Sequence, residues 1–164
     1  MQSEKFSYRE QPRPEDIEMV RQITASSGFF YADEVETAVE LVQERLAKGE
    51  ASGYYFCFVE QGGRTLGYSC YGPIACTQGS YDLYWIAVHR DCRDQGLGSR
   101  LLAASEERMR KMGGRRVYIE TSSRPLYEPT RSFYLRRGYS EETVLKDFYA
   151  PGDGKVIYLK VLAA

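Results

Sequence analysis

The chain of 164 residues is poor in the groups that build metal centres. It has one histidine, His89, and four cysteines, Cys57, Cys70, Cys76 and Cys92, none of them spaced C-x-x-C. That set cannot supply a zinc site, and no metal is expected. A chain of this length and core content does not need disulfides, so the four cysteines read as reduced thiols of a cytoplasmic protein. The N-terminus, MQSEKFSYREQPRPED, lacks an apolar signal core. No apolar run approaches the length of a membrane span. Net charge is −1, which gives no electrostatic case for nucleic acid as a partner. No G-x-x-x-x-G-K-[ST] string is present, which excludes a Walker loop.

What remains is ordinary globular composition, 43% apolar and 27% charged, with fourteen tyrosines. One domain over residues 1–164 is expected. Tyrosine covers apolar area while keeping a polar tip, so some tyrosines are expected to line a pocket.

The periodicity predicts a mixed α/β order. A short strand at 5–10 is followed by Pro14-Glu15-Asp16, a helix start with acids in its first turn. Ile17, Val20 and Ile23 form one stripe. A second helix is predicted over 33–48, with Val35, Ala38, Val39, Val42 and Leu46 on one face. The period then changes to that of strands. A hairpin joins 54–60 to 65–71, and a longer strand covers 81–88. A helix over 98–112, a strand at 117–121, a short helix at 130–137 and strands at 139–148 and 156–161 complete the order. Pro151–Gly154 is read as the last turn.

Between the strand ending Ile86-Ala87-Val88 and the following helix lies Arg93-Asp94-Gln95-Gly96-Leu97-Gly98-Ser99. Glycine permits a sharp turn and close backbone approach, and a helix N-terminus suits an anion. The third glycine of a dinucleotide fingerprint is replaced by Leu101. The string Arg93-x-x-Gly96-x-Gly98, in this context, resembles the acetyl-CoA signature R/Q-x-x-G-x-G/A of the GNAT family of N-acetyltransferases. Phe133-Tyr134-Leu135-Arg136-Arg137-Gly138-Tyr139 is similar to the family's second signature, LYxxxGF. Both occur in the family's order of elements, over roughly residues 5–161.

The resemblance implies an α/β fold with a central, mostly antiparallel sheet. One parallel pair of strands splays apart, and helices flank the sheet. It implies acetyl-CoA as acyl donor, with its diphosphate held at Arg93, Asp94, Gln95, Gly96, Leu97, Gly98 and Ser99. Ile86, Ala87 and Val88 would pair with the pantetheine arm and offer an oxyanion donor. Tyr134 matches the family's acid beside the sulfur. Asp82, fourteen residues before Gly96, stands at the offset of the catalytic glutamate in the histone-acetylating branch, one carbon shorter. Glu120 is the second candidate base, facing opposite to Ile119 and Thr121. His89 and a nucleophilic Cys92 rank below these. One position departs from the pattern: Tyr127 stands where many relatives carry asparagine, so that residue's acceptor contacts are not carried over.

The expected activity is acetylation of a primary amine of a small molecule or an amino-acid-like metabolite, by direct attack. Tyr31, Asp33, Glu34, Asp147 and Tyr149 would suit a cationic acceptor. A homodimer is compatible with this reading, and no membrane or nucleic-acid partner is expected. The alternatives are a non-catalytic acyl-CoA-binding module and a protein N-terminal or lysine acetyltransferase.

Overall fold

A computed structural model describes residues 5–163; residues 1–4 and 164, the ends of the expected 1–164 domain, lie outside the described residues. The elements are β1 (Ser7–Arg9), α1 (Asp16–Ser26), α2 (Ala32–Lys48), β2 (Tyr55–Gln61), β3 (Arg64–Pro73), β4 (Ser80–Val88), α3 (Leu97–Lys111), β5 (Arg116–Ser122), α4 (Glu128–Arg136), β6 (Ser140–Ala150) and β7 (Asp153–Val161). The sheet order is β1-β2-β3-β4-β5-β7-β6, with β4 and β5 parallel. This is the mixed α/β sheet that the sequence predicts. The chain forms two compact units. One runs through Gly72 and includes Trp85–Arg108; the other comprises Pro73–Tyr84 and the chain from Met109 onward.

In the first unit, α1 and α2 turn their apolar stripes onto β2 and β3. Val20, Ile23, Ala38, Val39 and Val42 cluster with Phe56, Phe58, Tyr68, Cys70 and Ala87. Burial of such side chains is the main stabilising term, roughly 1.5–3 kcal/mol each. Leu46 departs from the expected stripe and is exposed. Its neighbour Arg45 is buried instead: Nη1 donates to the Tyr54 carbonyl at 3.1 Å, and the guanidinium lies 5.0 Å from the Tyr55 ring centroid. A long cation that finds both partners can cover apolar surface. Asp16 is buried at the start of α1 because Arg9 of β1 reaches it, with Nη1 and Nη2 each 2.8 Å from a carboxylate oxygen. The same guanidinium bonds Glu60 of β2 at 2.8 Å and lies over the Phe58 ring.

Several of the tyrosines are part of the core, among them Tyr68, Tyr71 and Tyr158. Tyr68 is fully buried, and its hydroxyl is satisfied at 2.6 Å by Thr24 Oγ1. Ser69 of β3 and Ser105 of α3 pair their hydroxyls at 2.6 Å, which relieves the cost of burying both. All four cysteines are free, and only Cys76 is exposed.

In the second unit, β5 pairs antiparallel with β7, and β7 with β6. The last turn is shorter than predicted. Ala150 already pairs with Asp153, so Pro151-Gly152 alone makes it. Gly152 takes φ +79, which a proline–glycine turn requires at its second position. No helix among the described residues is long and apolar enough to cross a membrane.

Candidate active site

In the first unit, β4 ends at Val88 and a 3₁₀ turn follows at Arg90–Cys92 before α3 begins at Leu97. Asp94 and Gly96 both adopt left-handed backbone, φ +64 and +71. Glycine does so freely, and aspartate more readily than most residues. Gly98 lies inside α3 and is absent from the positive-φ residues, so the sharp turn belongs to Gly96. The first intrahelical bond is donated by Arg100 N to Gly96 O at 3.2 Å. The N–H groups of Asp94 through Ser99 donate no hydrogen bond among the described residues. They form a run of uncharged donors at a helix N-terminus, suited to an anion.

Side chains anchor this turn. Ser26 Oγ accepts from Arg90 N at 3.1 Å. Arg93 Nη2 donates to the Ser27 carbonyl at 3.4 Å and its guanidinium lies 5.5 Å from the Phe29 ring centroid. Arg100 lies 5.4 Å from that of Phe6. Both arginines therefore hold local structure as well as supplying charge. His89 is engaged too: its Nδ1 accepts from Asp91 N at 3.1 Å, closing the 3₁₀ turn. Cys92 is buried. Upstream, β3 runs close against Ala87 and Val88 at Gly67. A Cβ on Gly67 would lie 2.8 Å from Ala87 O and 3.2 Å from Val88 Cα.

In the second unit, the parallel ladder runs Ser80↔Arg116, Tyr81↔Val117 and Asp82↔Tyr118. Leu83 and Tyr84 continue β4, and Ile119 to Ser122 continue β5, without joining that ladder. Asp82 thus sits at the last register before the strands part. Tyr118 and Glu120 share a face of β5 because successive side chains alternate. Ile119 and Thr121 are buried on the other face, as the sequence predicts. Burial pushes the Asp82 carboxyl above its usual range, Glu120 adds to the rise, and Lys155 opposes it. Glu120 is half exposed and pairs with Lys155 Nζ at 3.0 Å. Sequence reasoning missed Lys155, which lies 35 positions beyond Glu120. Only the β5–β7 register, Ser122↔Lys155, brings the two together.

Tyr134 is buried on α4, ringed by Phe133 at 5.5 Å, Tyr139 at 5.7 Å and Tyr158 at 6.2 Å between ring centroids. Tyr158 pairs with Ile119 and Ile157 with Glu120. Tyr134 therefore packs on the sheet face opposite to Asp82 and Glu120. Burial alone raises its phenol far above the ordinary value, so it keeps its proton at neutral pH. On the same face, Thr121 Oγ1 is buried without a hydrogen-bond partner. Arg131 pins α4 by donating to the carbonyls of Ser122, 2.8 Å, and Arg124, 2.9 Å.

Hydrogen bonds also order the loop after β5, the β6–β7 turn and the start of α2. Ser122 Oγ bonds Asp153 at 2.5 Å, Ser123 Oγ accepts from Gly154 N at 2.8 Å, and Asp147 accepts from Gly152 N at 2.8 Å. Tyr31 N donates to Glu34 at 2.8 Å, closing the start of α2.

Residues 17–139 match the acetyltransferase (GNAT) family. The chain is 46% identical to an acetyltransferase assigned to the GNAT family from Desulfovibrio desulfuricans, with a TM-score of 0.95 over 97% of this chain and 100% of that one. It shares the fold of the ribosomal-protein-S18-alanine N-acetyltransferase of Escherichia coli, at 17% identity, a TM-score of 0.76 and coverage of 98% and 96%. It also shares the fold of an aminoglycoside 6'-N-acetyltransferase solved with coenzyme A, at 16% identity, a TM-score of 0.76 and coverage of 98% of each chain. No curated protein is a significant match. With both signatures in place on this mixed sheet, the chain belongs to the GNAT family and is an N-acetyltransferase.

Proposed function

We propose that this enzyme transfers the acetyl group of acetyl-CoA to the primary amine of a small, cationic, amino-acid-like molecule by direct attack, residues 1–164 acting as one acetyltransferase domain. The observation that carries the reading is the placement of Asp82 and Tyr134 on opposite faces of the second unit's sheet, with Asp82 at the register where β4 and β5 part. A proton is removed on one face and another is delivered on the opposite face.

The run of N–H groups from Asp94 to Ser99 fits a diphosphate, and Gly98 leaves the first turn of α3 without a side chain to obstruct it. Acetyl-CoA supplies an activated thioester carbonyl. A backbone N–H of the Ile86–Val88 stretch stabilises the negative charge that develops on the carbonyl oxygen. Asp82, directly or through a water, takes the proton that turns the ammonium into a nucleophilic amine. The nitrogen forms a bond to the carbonyl carbon and the carbon–sulfur bond breaks. Tyr134 gives its proton to the departing sulfur and is reprotonated by the second proton lost from nitrogen, relayed through solvent. The products are the acetamide, the free thiol and one proton.

A compact cationic acceptor is supported by the local charge and walls. Asp82, Glu120 and Lys155 carry net charge −1 when ionised, and Tyr84, Phe148 and Tyr149 are exposed in the same unit. Incubating the enzyme with acetyl-CoA and a panel of primary amines, with thiol release as readout, tests this reading. Release with amino-acid-like amines supports it. Release only with peptides or proteins replaces the acceptor class. Coenzyme A binding without turnover on any amine, protein acceptors included, favours the non-catalytic module.

A further inference from the structure

On the Glu120 face of the second unit, one lysine is gripped from two sides. Lys155 Nζ lies 3.0 Å from Glu120 Oε2 and 3.8 Å from the centroid of the Phe148 ring, and only 13% of its side chain is exposed. The register explains the reach. Lys155 stands opposite Ser122 in β5 and Leu145 in β6, so Glu120 is its diagonal neighbour on the same face. Phe148 follows Leu145 where the β6–β7 register shifts. An ammonium so placed gains both an ion pair and a ring face. The charged groups that face Asp82 are Glu120 of β5 and Lys155 of β7. No hydrogen bond holds the Asp82 carboxylate among the described residues. Two neighbouring carboxylates without a cation would compete for one proton.

We propose that Lys155 is a positioning residue: held against the Phe148 ring, it clamps Glu120, withdraws that carboxylate from the reacting amine and leaves Asp82 as the single group that takes the acceptor's proton. The inference rests on Asp82 as the base, and it assigns the two candidate carboxylates different roles. Glu120 and Lys155 act on Asp82 with opposite signs, so each can be removed separately. Without the ammonium, Asp82 ionises only at higher pH. Without the Glu120 carboxylate, it ionises at lower pH.

The test uses two readouts on the full chain. The first is a ¹³C carboxyl NMR titration of Asp82 in the substrate-free protein, assigned by Asp82→Asn. The second is the pH profile of kcat/KM with acetyl-CoA and a primary amine. In Lys155→Met the titration midpoint and the acidic limb of the profile both move to higher pH. Activity falls roughly tenfold below the limb, the effect of a midpoint displaced by one pH unit, and recovers at alkaline pH. Lys155→Arg restores both. Glu120→Gln moves the Asp82 midpoint the other way and keeps the test open if Lys155→Met fails to fold. An unmoved midpoint in either folded variant overturns the proposal, as does a uniform loss across pH with a lowered Tm, which is what a purely structural lysine would give. A midpoint that moves while the rate profile stays fixed retains the clamp and overturns Asp82 as the base, so the two readings fail separately.

Discussion

Gly67 and Ala87 approach so closely that a side-chain carbon on the glycine would lie 2.8 Å from the alanine carbonyl oxygen. The obstacle is backbone, which cannot swing aside as a flexible side chain can. Gly67→Ala therefore pushes β3 away from β4 at Ala87–Val88, the stretch assigned to the thioester carbonyl. The expected cost is about 1–3 kcal/mol, the range for overpacking, with a rise in the acetyl-CoA dissociation constant. Chemical denaturation and calorimetric titration on the same preparation check it. Unchanged binding in a destabilised variant would detach this stretch from the donor site.

Gly96 separates charge from shape at the anion turn. Its φ of +71 is tolerated by asparagine and aspartate better than by other residues, and open space surrounds the position where a Cβ would be. Gly96→Asn should fold and keep most of the stabilisation by coenzyme A. Gly96→Asp should fold and lose it by repulsion. At a hundred times the dissociation constant, the wild type gains about 2.7 kcal/mol. Thermal shift with coenzyme A, NAD and ATP distinguishes the cases, and equal shifts with all three would remove the diphosphate assignment.

Asp82 carries opposite consequences for stability and rate. Its carboxyl titrates above the ordinary value of 3.8 in the folded protein. The folded state thus binds this proton more tightly than the unfolded state, and stability falls as pH rises from about 3.8 to the raised value. Asp82→Asn should therefore raise Tm near pH 7, with the gain from lost ionisation disappearing below pH 3.8. The same substitution should lower activity most near neutral pH and be partly rescued by alkaline pH, where free amine is available. A mutant with the wild-type pH profile would move the role to Glu120 or to solvent.

Tyr134→Phe keeps the ring that packs against Phe133, Tyr139 and Tyr158. Tm and acetyl-CoA affinity should change little, while turnover falls about a hundredfold, the scale of losing a positioned acid. Tm and turnover are measured together. Near-normal turnover in a stable mutant would leave the thiolate departing unaided.

Arg9 holds two carboxylates, and Asp16 retains only 2% of its surface exposure. Arg9→Met should cost about 3–5 kcal/mol, because it leaves a buried charge unpaired. Adding Asp16→Asn should recover part of that loss. A double mutant no better than the single would show that the arginine acts through its packing on Phe58 instead.

The order of elements was legible in the sequence because each follows from local signals. Val35, Ala38, Val39 and Val42 repeat at helical spacing, Gln61-Gly62-Gly63 punctuates a hairpin, and Gly96 marks the strand-to-helix turn. The facing of Glu120 against Ile119 and Thr121 was also legible, since alternation is a property of one strand. The partnerships of the charged residues were not. Arg9 meets Glu60 across 51 positions, and Lys155 meets Glu120 only after β7 has come to lie against β5 in a particular register. Tyr134 could be assigned to a helix from its motif, but its position opposite Asp82 depends on which face of the sheet α4 covers. Chain geometry within a few residues obeys fixed periodicities that the order of residues reveals. Contacts between distant segments are set by how the apolar faces pack together, and the charges that tune the site find their partners only in that packed state.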